Sequence, residues 1–240
     1  TMTEQGFGHC CSDKYRRMGI RTADLLYPDI LHDKIKEILA VKNEYLTKIY
    51  GERPIDPDEL YNNCLRLGER LLPYIGEPEE IIANSVSKNL SILFEACDGV
   101  LNDVDRGSYP HVMPLSSLPA AALTGTGLRW NYPMRKIGVV KAYSTRNDRG
   151  PFVTEESNAV AVFIRNRGKE FSGVSREPRR VGWLDLPAIK YAIKESGVHS
   201  LALTKLDVLT GIDEIKVCSA YDVGGEVKDV PDIAGRDMCD

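Results

Sequence analysis

The sequence predicts an α/β fold in which helices cover a mostly parallel central sheet, with a helical segment in the first third of the chain. Three observations predict it. Apolar residues recur at three- and four-residue steps in the first third, short apolar runs bounded by turn residues follow, and strand, helix and strand patterns alternate towards the end. Alternation of that kind is typical of parallel strands joined by covering helices.

The size and charge of the chain limit the classes of function that it can have. With 240 residues, 42% of them hydrophobic, the chain can bury a sizeable core, and we expect one α/β domain over residues 1–240 with a helical subregion at 24–88. The net charge of −4 provides no general attraction for a nucleic acid, so we expect no nucleic-acid partner. The charge is compatible with a small anionic ligand held by a few arginines.

Three amphipathic helices are predicted in the first third. Apolar side chains at helical spacing run from residue 28 to residue 50, and Gly51 stops the pattern. Two more helices, at 57–72 and 78–86, each have a proline in the first turn followed by acidic residues, which suits a helix N-terminus.

The rest of the chain carries the strand patterns. Residues 106–127 are rich in Gly, Pro, Ser and Thr and predict an extended loop that faces a ligand. Residues 158–164 fit a strand or a helix equally well, and 185–195 fit a short helix. Strands are predicted at residues 90–96, 137–143, 200–204 and 214–221.

Neither a metal site nor a membrane span is indicated. The six cysteines and four histidines show no spacing typical of a zinc site or a disulfide framework. No apolar run approaches the roughly 18 residues that a span requires, and the first residues lack a basic and then apolar leader. We therefore expect a cytoplasmic protein with free thiols and no membrane partner.

A polar pair follows the predicted strand at 200–204. In a parallel sheet, ligands bind beyond the carboxyl ends of the strands, where Lys205 and Asp207 should lie. A carboxylate has two adjacent acceptor oxygens that match the N1 and N2 hydrogens of guanine, and the lysine stem can cover the base. An exposed lysine and aspartate at a strand end is the alternative.

Two further clusters contain residues that could form a site. Arg176, Arg179 and Arg180 fall within five residues, and guanidinium groups bind phosphates and carboxylates with paired hydrogen bonds. A solvated basic loop is the alternative. Asp103 and Asp105 could pair for metal or acid chemistry. Acidic residues before a glycine more often form turns.

Residues 179–221, "RRVGWLDLPAIKYAIKESGVHSLALTKLDVLTGIDEIKVCSAY", closely resemble adenylosuccinate synthetase. The resemblance continues through "DKYRRMGIRTADL", "FEACDGVLNDVDRGSYPHV" and "KAYSTRNDRGPFVTEE", and so extends over almost the whole chain. It implies a P-loop NTPase-like fold and a GTP-dependent ligase that joins IMP to L-aspartate, giving adenylosuccinate on the route to AMP.

The resemblance also implies roles for individual residues. Lys205 and Asp207 match the guanine-recognition pair. Arg179 matches an arginine that contacts the IMP ribose and the aspartate carboxylate, and Thr3 matches a threonine on the IMP phosphate. Arg17 matches an arginine that reaches across a homodimer to the partner's IMP phosphate.

Four positions depart from the family pattern. Asp98 replaces a glutamine that holds the IMP base, and Met113 replaces a threonine that holds the IMP phosphate. In the aspartate-binding loop Ser175 keeps a hydroxyl, whereas Val174 replaces a threonine and Glu177 replaces an arginine. A negative charge at Glu177 disfavours docking of a dicarboxylate.

The resemblance places the catalytic aspartate and histidine, the phosphate loop with its Mg²⁺ ligands, and a C-terminal guanine-packing segment outside these residues. We therefore expect no catalytic or metal-binding residue within this chain. Two alternatives stay open at this point: a non-catalytic purine-nucleotide-binding homologue, and a related purine ligase whose altered pocket accepts another nucleotide.

Overall fold

The computed structural model describes residues 6–96, 98–129, 131–132, 134–173, 175–229 and 231. The chain divides into two compact units, Gln5–Lys88 and Asn89–Asp240, when residues are grouped by their contacts. In the described ranges, none of the helices is both long enough and apolar enough to cross a bilayer.

The first unit is helical, as predicted. Its helices are α1 (Phe7–Tyr15), α2 (Pro28–Lys48), α3 (Pro57–Leu71) and α4 (Pro78–Ser87). Prolines open α2, α3 and α4, and the Asp56 carboxylate caps α3 by accepting a hydrogen bond from the Glu59 amide at 2.8 Å. Leu31, Ile35 and Leu39 of α2 are buried against α3, so this pair of helices forms the core of the unit.

The second unit contains three α-helices and nine strands in its described part. The helices are α5 (Ala120–Thr126), α6 (Ala159–Gly168) and α7 (Leu186–Ser196). The strands are β1 (Ile137–Lys141), β2 (Ser144–Arg146), β3 (Glu155–Glu156), β4 (Arg180–Gly182), β5 (Leu184–Asp185), β6 (Ser200–Thr204), β7 (Val217–Cys218), β8 (Tyr221–Val223) and β9 (Glu226–Lys228).

Parallel pairing joins distant parts of this unit. Strand β1 pairs with β6 in parallel from Ile137↔Ser200 to Lys141↔Thr204, and β5 pairs with β7 in parallel. Antiparallel pairing gives the order β2-β4-β3 and the β8–β9 hairpin. The crossover from β1 to β6 includes α6 and α7, so the unit has the predicted α/β fold with parallel strands and helices.

A small core lies where β1, α6, β4 and the segment after β6 meet. Its buried residues are Ala142, Tyr143, Ala161, Ile164, Val181, Val208 and Leu209. Residues 158–164, which fitted strand or helix, begin α6, because the Asn158 side chain accepts hydrogen bonds from the Val160 and Ala161 amides.

Two predicted strands differ from the structure. Residues 90–96 form no ladder with any described strand, and the Leu93 side chain is 92% exposed, because an apolar run supplies no pairing partner by itself. The single strand predicted at 214–221 is divided. Its middle pairs with β5 for only two residues, and Tyr221 begins the separate hairpin with β9, which turns at Gly224 and Gly225.

Candidate functional site

The candidate site lies at the carboxyl ends of β1 and β6, which the parallel register places side by side. Lys141 ends β1 opposite Thr204, which ends β6. The Ala142 amide donates to the Thr204 carbonyl at 2.9 Å, so the two chains remain paired one residue beyond β1. This end of parallel strands is the usual place for a ligand in an α/β protein.

The segment after β6 turns sharply and presents an aspartate. Lys205 has a φ of 61°, and Leu206–Leu209 follow as a 3₁₀ turn held in the core by buried Val208 and Leu209. The Lys205 ammonium donates to the Gly168 carbonyl at 2.9 Å. Asp207 is exposed, and among the described residues its carboxylate has no hydrogen bond or ion pair. Its acceptor oxygens are therefore available to a ligand.

A buried carboxylate lies beside this turn. Glu170 is 4% exposed and accepts hydrogen bonds from the Lys141 ammonium at 2.9 Å and the Tyr143 hydroxyl at 2.7 Å. Burial alone would raise the pKa of Glu170, but these hydrogen bonds outweigh it and hold that pKa below its usual value. Burial lowers the pKa of Lys141, and it raises the pKa of Tyr143 well above that of a free tyrosine.

Arg179 completes this cluster and retains an unused donor. Its Nη1 lies 3.5 Å from a Glu170 carboxylate oxygen, at the outer limit of a hydrogen bond. Its backbone is held on both sides, since its amide donates to the Glu170 carbonyl and its own carbonyl accepts from Arg165 Nε at 2.7 Å. In the part of the chain that the structure describes, the buried Arg179 Nε has no hydrogen-bond partner.

The three arginines grouped by sequence separate in the structure. Arg180 is engaged by the protein itself, because it forms a two-point ion pair with Glu155 and donates to the carbonyls of Asp148 and Gly150. Arg176 is exposed, with a φ of 60°. Of the three, Arg179 alone joins the buried cluster around Glu170.

Comparison with known proteins identifies the family of the chain. A profile of the family described as adenylosuccinate synthetase matches residues 1–238. The chain belongs to the adenylosuccinate synthetase family. Adenylosuccinate synthetase of Bifidobacterium longum (strain DJO10A) is 43% identical over 227 residues, and that of Clostridium botulinum (strain Eklund 17B / Type B) is 37% identical over 227 residues.

The structural comparison supports the same family. The fully ligated adenylosuccinate synthetase of Plasmodium falciparum superposes with a TM-score of 0.87 at 29% identity and covers 96% of this chain. The two bacterial matches cover 95% of this chain but 53% of each relative, and the match to the Plasmodium chain covers 54% of that structure. The chain therefore spans about half the length of these adenylosuccinate synthetases.

The loop predicted to bind aspartate is a hairpin between Glu170 and Arg179. Its base is closed by an antiparallel bridge between Phe171 and Pro178. Near its tip, the exposed Ser175 hydroxyl donates to the Glu177 carboxylate at 3.3 Å, so the hydroxyl predicted to bind aspartate is already engaged by the carboxylate predicted to disfavour it. Val174 lies outside the described residues.

The segment between Asp98 and Met113, the two IMP-related positions that depart from the family pattern, is organised by Asp103. This fully buried carboxylate accepts hydrogen bonds from the backbone of Asp105, Arg106 and Ser117 and from the Ser116 hydroxyl. Asp103 is therefore a turn former, as the alternative reading of the paired aspartates predicts.

The other positions that the resemblance relates to IMP, one of which is the departure at Met113, have different settings. Asp98 is exposed at a φ of 63°, and the Met113 amide donates to the Asn102 carbonyl at 2.8 Å. Arg17 belongs to the helical unit, where it is exposed in the turn that follows α1, with a φ of 63°. Thr3 lies outside the described residues.

Sequence reasoning missed Lys141, Tyr143 and Glu170. The first two were assigned only to a buried strand, and Glu170 follows α6 without any motif around it. The position of Lys141 near the carboxyl end of the strand predicted at 137–143 was the one available signal, because polar residues at that end lie on the ligand side of a parallel sheet.

Proposed function

We propose that the protein containing this chain is a GTP-dependent ligase that joins IMP to L-aspartate and forms adenylosuccinate for AMP synthesis. Family membership supports the reaction class. The observation that carries the proposal is the exposed carboxylate of Asp207, which has no hydrogen bond or ion pair with any residue that the structure describes and follows β6 at the carboxyl end of the parallel strands.

In this proposal Asp207 recognises the guanine base of GTP. Its two oxygens accept the N1 and N2 hydrogens of the base, and hydrogen bonds to a charged acceptor contribute roughly 1.5–3 kcal/mol. Lys205 contributes its methylene stem, because its ammonium is already bound to the Gly168 carbonyl. Its left-handed backbone conformation begins the turn that exposes Asp207.

Arg179 binds the second pair of substrates. We assign its guanidinium to the IMP ribose and the aspartate carboxylate, which is supported by a buried Nε that lacks a partner among the described residues. Ser175 offers a hydroxyl to the same carboxylate, in competition with Glu177. Thr3 and Asp98 are proposed for the phosphate and base of IMP.

The assembly proposed is a cytoplasmic homodimer in which Arg17 reaches the IMP phosphate of the partner subunit. Exposure of Arg17 in the turn that follows α1 is compatible with that role. Mg²⁺ is proposed to accompany GTP. Because the described residues contain no group of three or more His, Cys, Asp or Glu side chains suited to a metal ion, we derive no step through Mg²⁺.

The direct test is turnover by the full-length protein with GTP, Mg²⁺, IMP and aspartate, followed by the absorbance change of adenylosuccinate formation. We expect product only when all three substrates are present, and less product when ATP replaces GTP. Absence of turnover with guanine nucleotide still bound would contradict the proposal and favour a non-catalytic nucleotide-binding homologue.

A further inference from the structure

The environment of Glu170 suggests a role beyond stability. Its carboxylate is nearly inaccessible, and its donors come from the end of β1, from the core residue Tyr143 and from the segment that enters β4. Lys141 is fixed further by donating to the Thr145 hydroxyl at 2.7 Å, and Tyr143 is 2% exposed. The carboxylate therefore has a rigid position that does not depend on Arg179.

Arg179 is the residue of this cluster whose side chain can change its position. Its side chain is about a third exposed, whereas the side chain of Glu170 is 5% exposed. Its amide donates to the Glu170 carbonyl at 3.0 Å, so the two residues face each other across the base of the hairpin. The backbone of Arg179 is anchored, and the fixed carboxylate attracts its guanidinium group. The remaining N–H donors of the guanidinium therefore point in a defined direction.

One of those donors has no acceptor within the described protein. The Arg179 Nε is buried from solvent and has no partner among the described residues, and a buried unsatisfied donor is unfavourable unless a ligand accepts from it. The acceptor that suits a guanidinium best is a carboxylate, which can accept two parallel hydrogen bonds.

We propose that Glu170 is a positioning residue: fixed by Lys141 and Tyr143, it holds the Arg179 guanidinium so that the unpaired Nε faces the carboxylate of the amino-acid substrate. The inference rests on the proposed function, since aspartate is the carboxylate that the ligase would bind. Under this proposal Glu170, Lys141 and Tyr143 all affect the binding of one substrate, aspartate, and they do so through Arg179.

The test is Glu170→Gln in the full-length enzyme, since glutamine keeps the size of the side chain and removes the charge. We expect the KM for aspartate to rise roughly tenfold, with the KM for GTP within about twofold of wild type, because Arg179 loses direction while the Lys205 turn keeps its bond to Gly168. The matched control is Glu155→Gln, which removes the carboxylate that pairs with the neighbouring Arg180 and should leave the KM for aspartate unchanged.

A double substitution separates positioning from general stabilisation. If Glu170 acts through Arg179, Glu170→Gln should not raise the KM for aspartate further in an Arg179→Lys background. An equal rise in both backgrounds, or a rise of every KM together, would overturn the proposal. If Glu170→Gln fails to fold, Tyr143→Phe removes one of the two anchoring hydrogen bonds and should raise the same KM by a smaller factor.

The NMR signal of the Arg179 Nε–H group tests positioning without catalysis. Assigned by its loss in Arg179→Lys, it should exchange slowly with water in the wild type and in Glu155→Gln and faster in Glu170→Gln. Equal exchange in wild type and Glu170→Gln would refute positioning. If the wild-type enzyme shows no ligase turnover, the proposed function fails, and this exchange measurement alone decides whether Glu170 positions Arg179.

Discussion

The ammonium of Lys205 donates a hydrogen bond to the carbonyl of Gly168 across 2.9 Å, although the two residues are 37 positions apart in the chain. This bond joins the turn after β6 to the end of α6. Glu170 lies two residues beyond Gly168 and contacts Arg179. One short segment therefore supports both the residues proposed for guanine and the arginine proposed for aspartate.

Asp207→Asn should weaken GTP binding. The amide keeps one acceptor oxygen but opposes one of the two guanine hydrogens with a donor, so we expect the KM for GTP to rise roughly 10- to 100-fold while the KM for ITP changes less. Steady-state kinetics with both nucleotides measures this effect. Asp213→Asn, a change at another exposed aspartate, serves as the control, and an unaltered preference for GTP in Asp207→Asn would remove the guanine role.

Arg17→Leu should raise the IMP concentration required and spare GTP binding. The reason is that an arginine reaching the partner's IMP phosphate contributes to one substrate only. The control is Arg16→Leu, which removes the adjacent exposed cation. Mixing Arg17→Leu subunits with Arg179→Lys subunits should restore part of the activity through hybrid dimers. Mixtures no more active than their components would argue against a shared site.

Glu177→Arg should lower the KM for aspartate. The present carboxylate repels a dicarboxylate and also occupies the Ser175 hydroxyl, whereas arginine attracts the substrate and frees that hydroxyl. Glu177→Gln, which removes the charge alone, should give an intermediate KM. The prediction fails if all three forms require the same aspartate concentration.

Gly168→Ala should destabilise the α/β unit. An added methyl group would lie 2.3 Å from the Tyr143 hydroxyl oxygen, which is itself held by Glu170. Overpacking of a buried site costs roughly 1–3 kcal/mol, which urea unfolding can measure. Gly125→Ala is the control, because a methyl group there meets no atom within 4 Å and the helix should tolerate it.

Glu170 should also make the free energy of unfolding depend on pH. Its folded-state pKa lies below the ordinary glutamate value of 4.5, so its ionised form stabilises the fold above that value, and this contribution is lost as pH falls through the folded pKa. We therefore expect the difference in unfolding free energy between wild type and Glu170→Gln to be largest at neutral pH and to shrink in acid. Urea titrations over that range would show it, and a constant difference would contradict the assignment.

Much of the local structure follows from sequence patterns. The prolines and acids that open α2, α3 and α4, and the spacing of Leu31, Ile35 and Leu39, act within a few turns of helix, so a single sequence reveals them. The run at 90–96 shows the limit, because a strand needs a partner that its own residues do not specify.

By itself, the sequence determined the α/β class, the family, and the position of Lys205 and Asp207 at a strand end. Only the tertiary structure decided which charged side chains are engaged by the protein and which are accessible to a ligand. It showed Arg180 paired with Glu155, Asp207 exposed with no ion pair to any described residue, and Glu170 enclosed by Lys141 and Tyr143. The physical reason is that hydrogen bonding and desolvation depend on residues that are distant in the chain and meet only after folding.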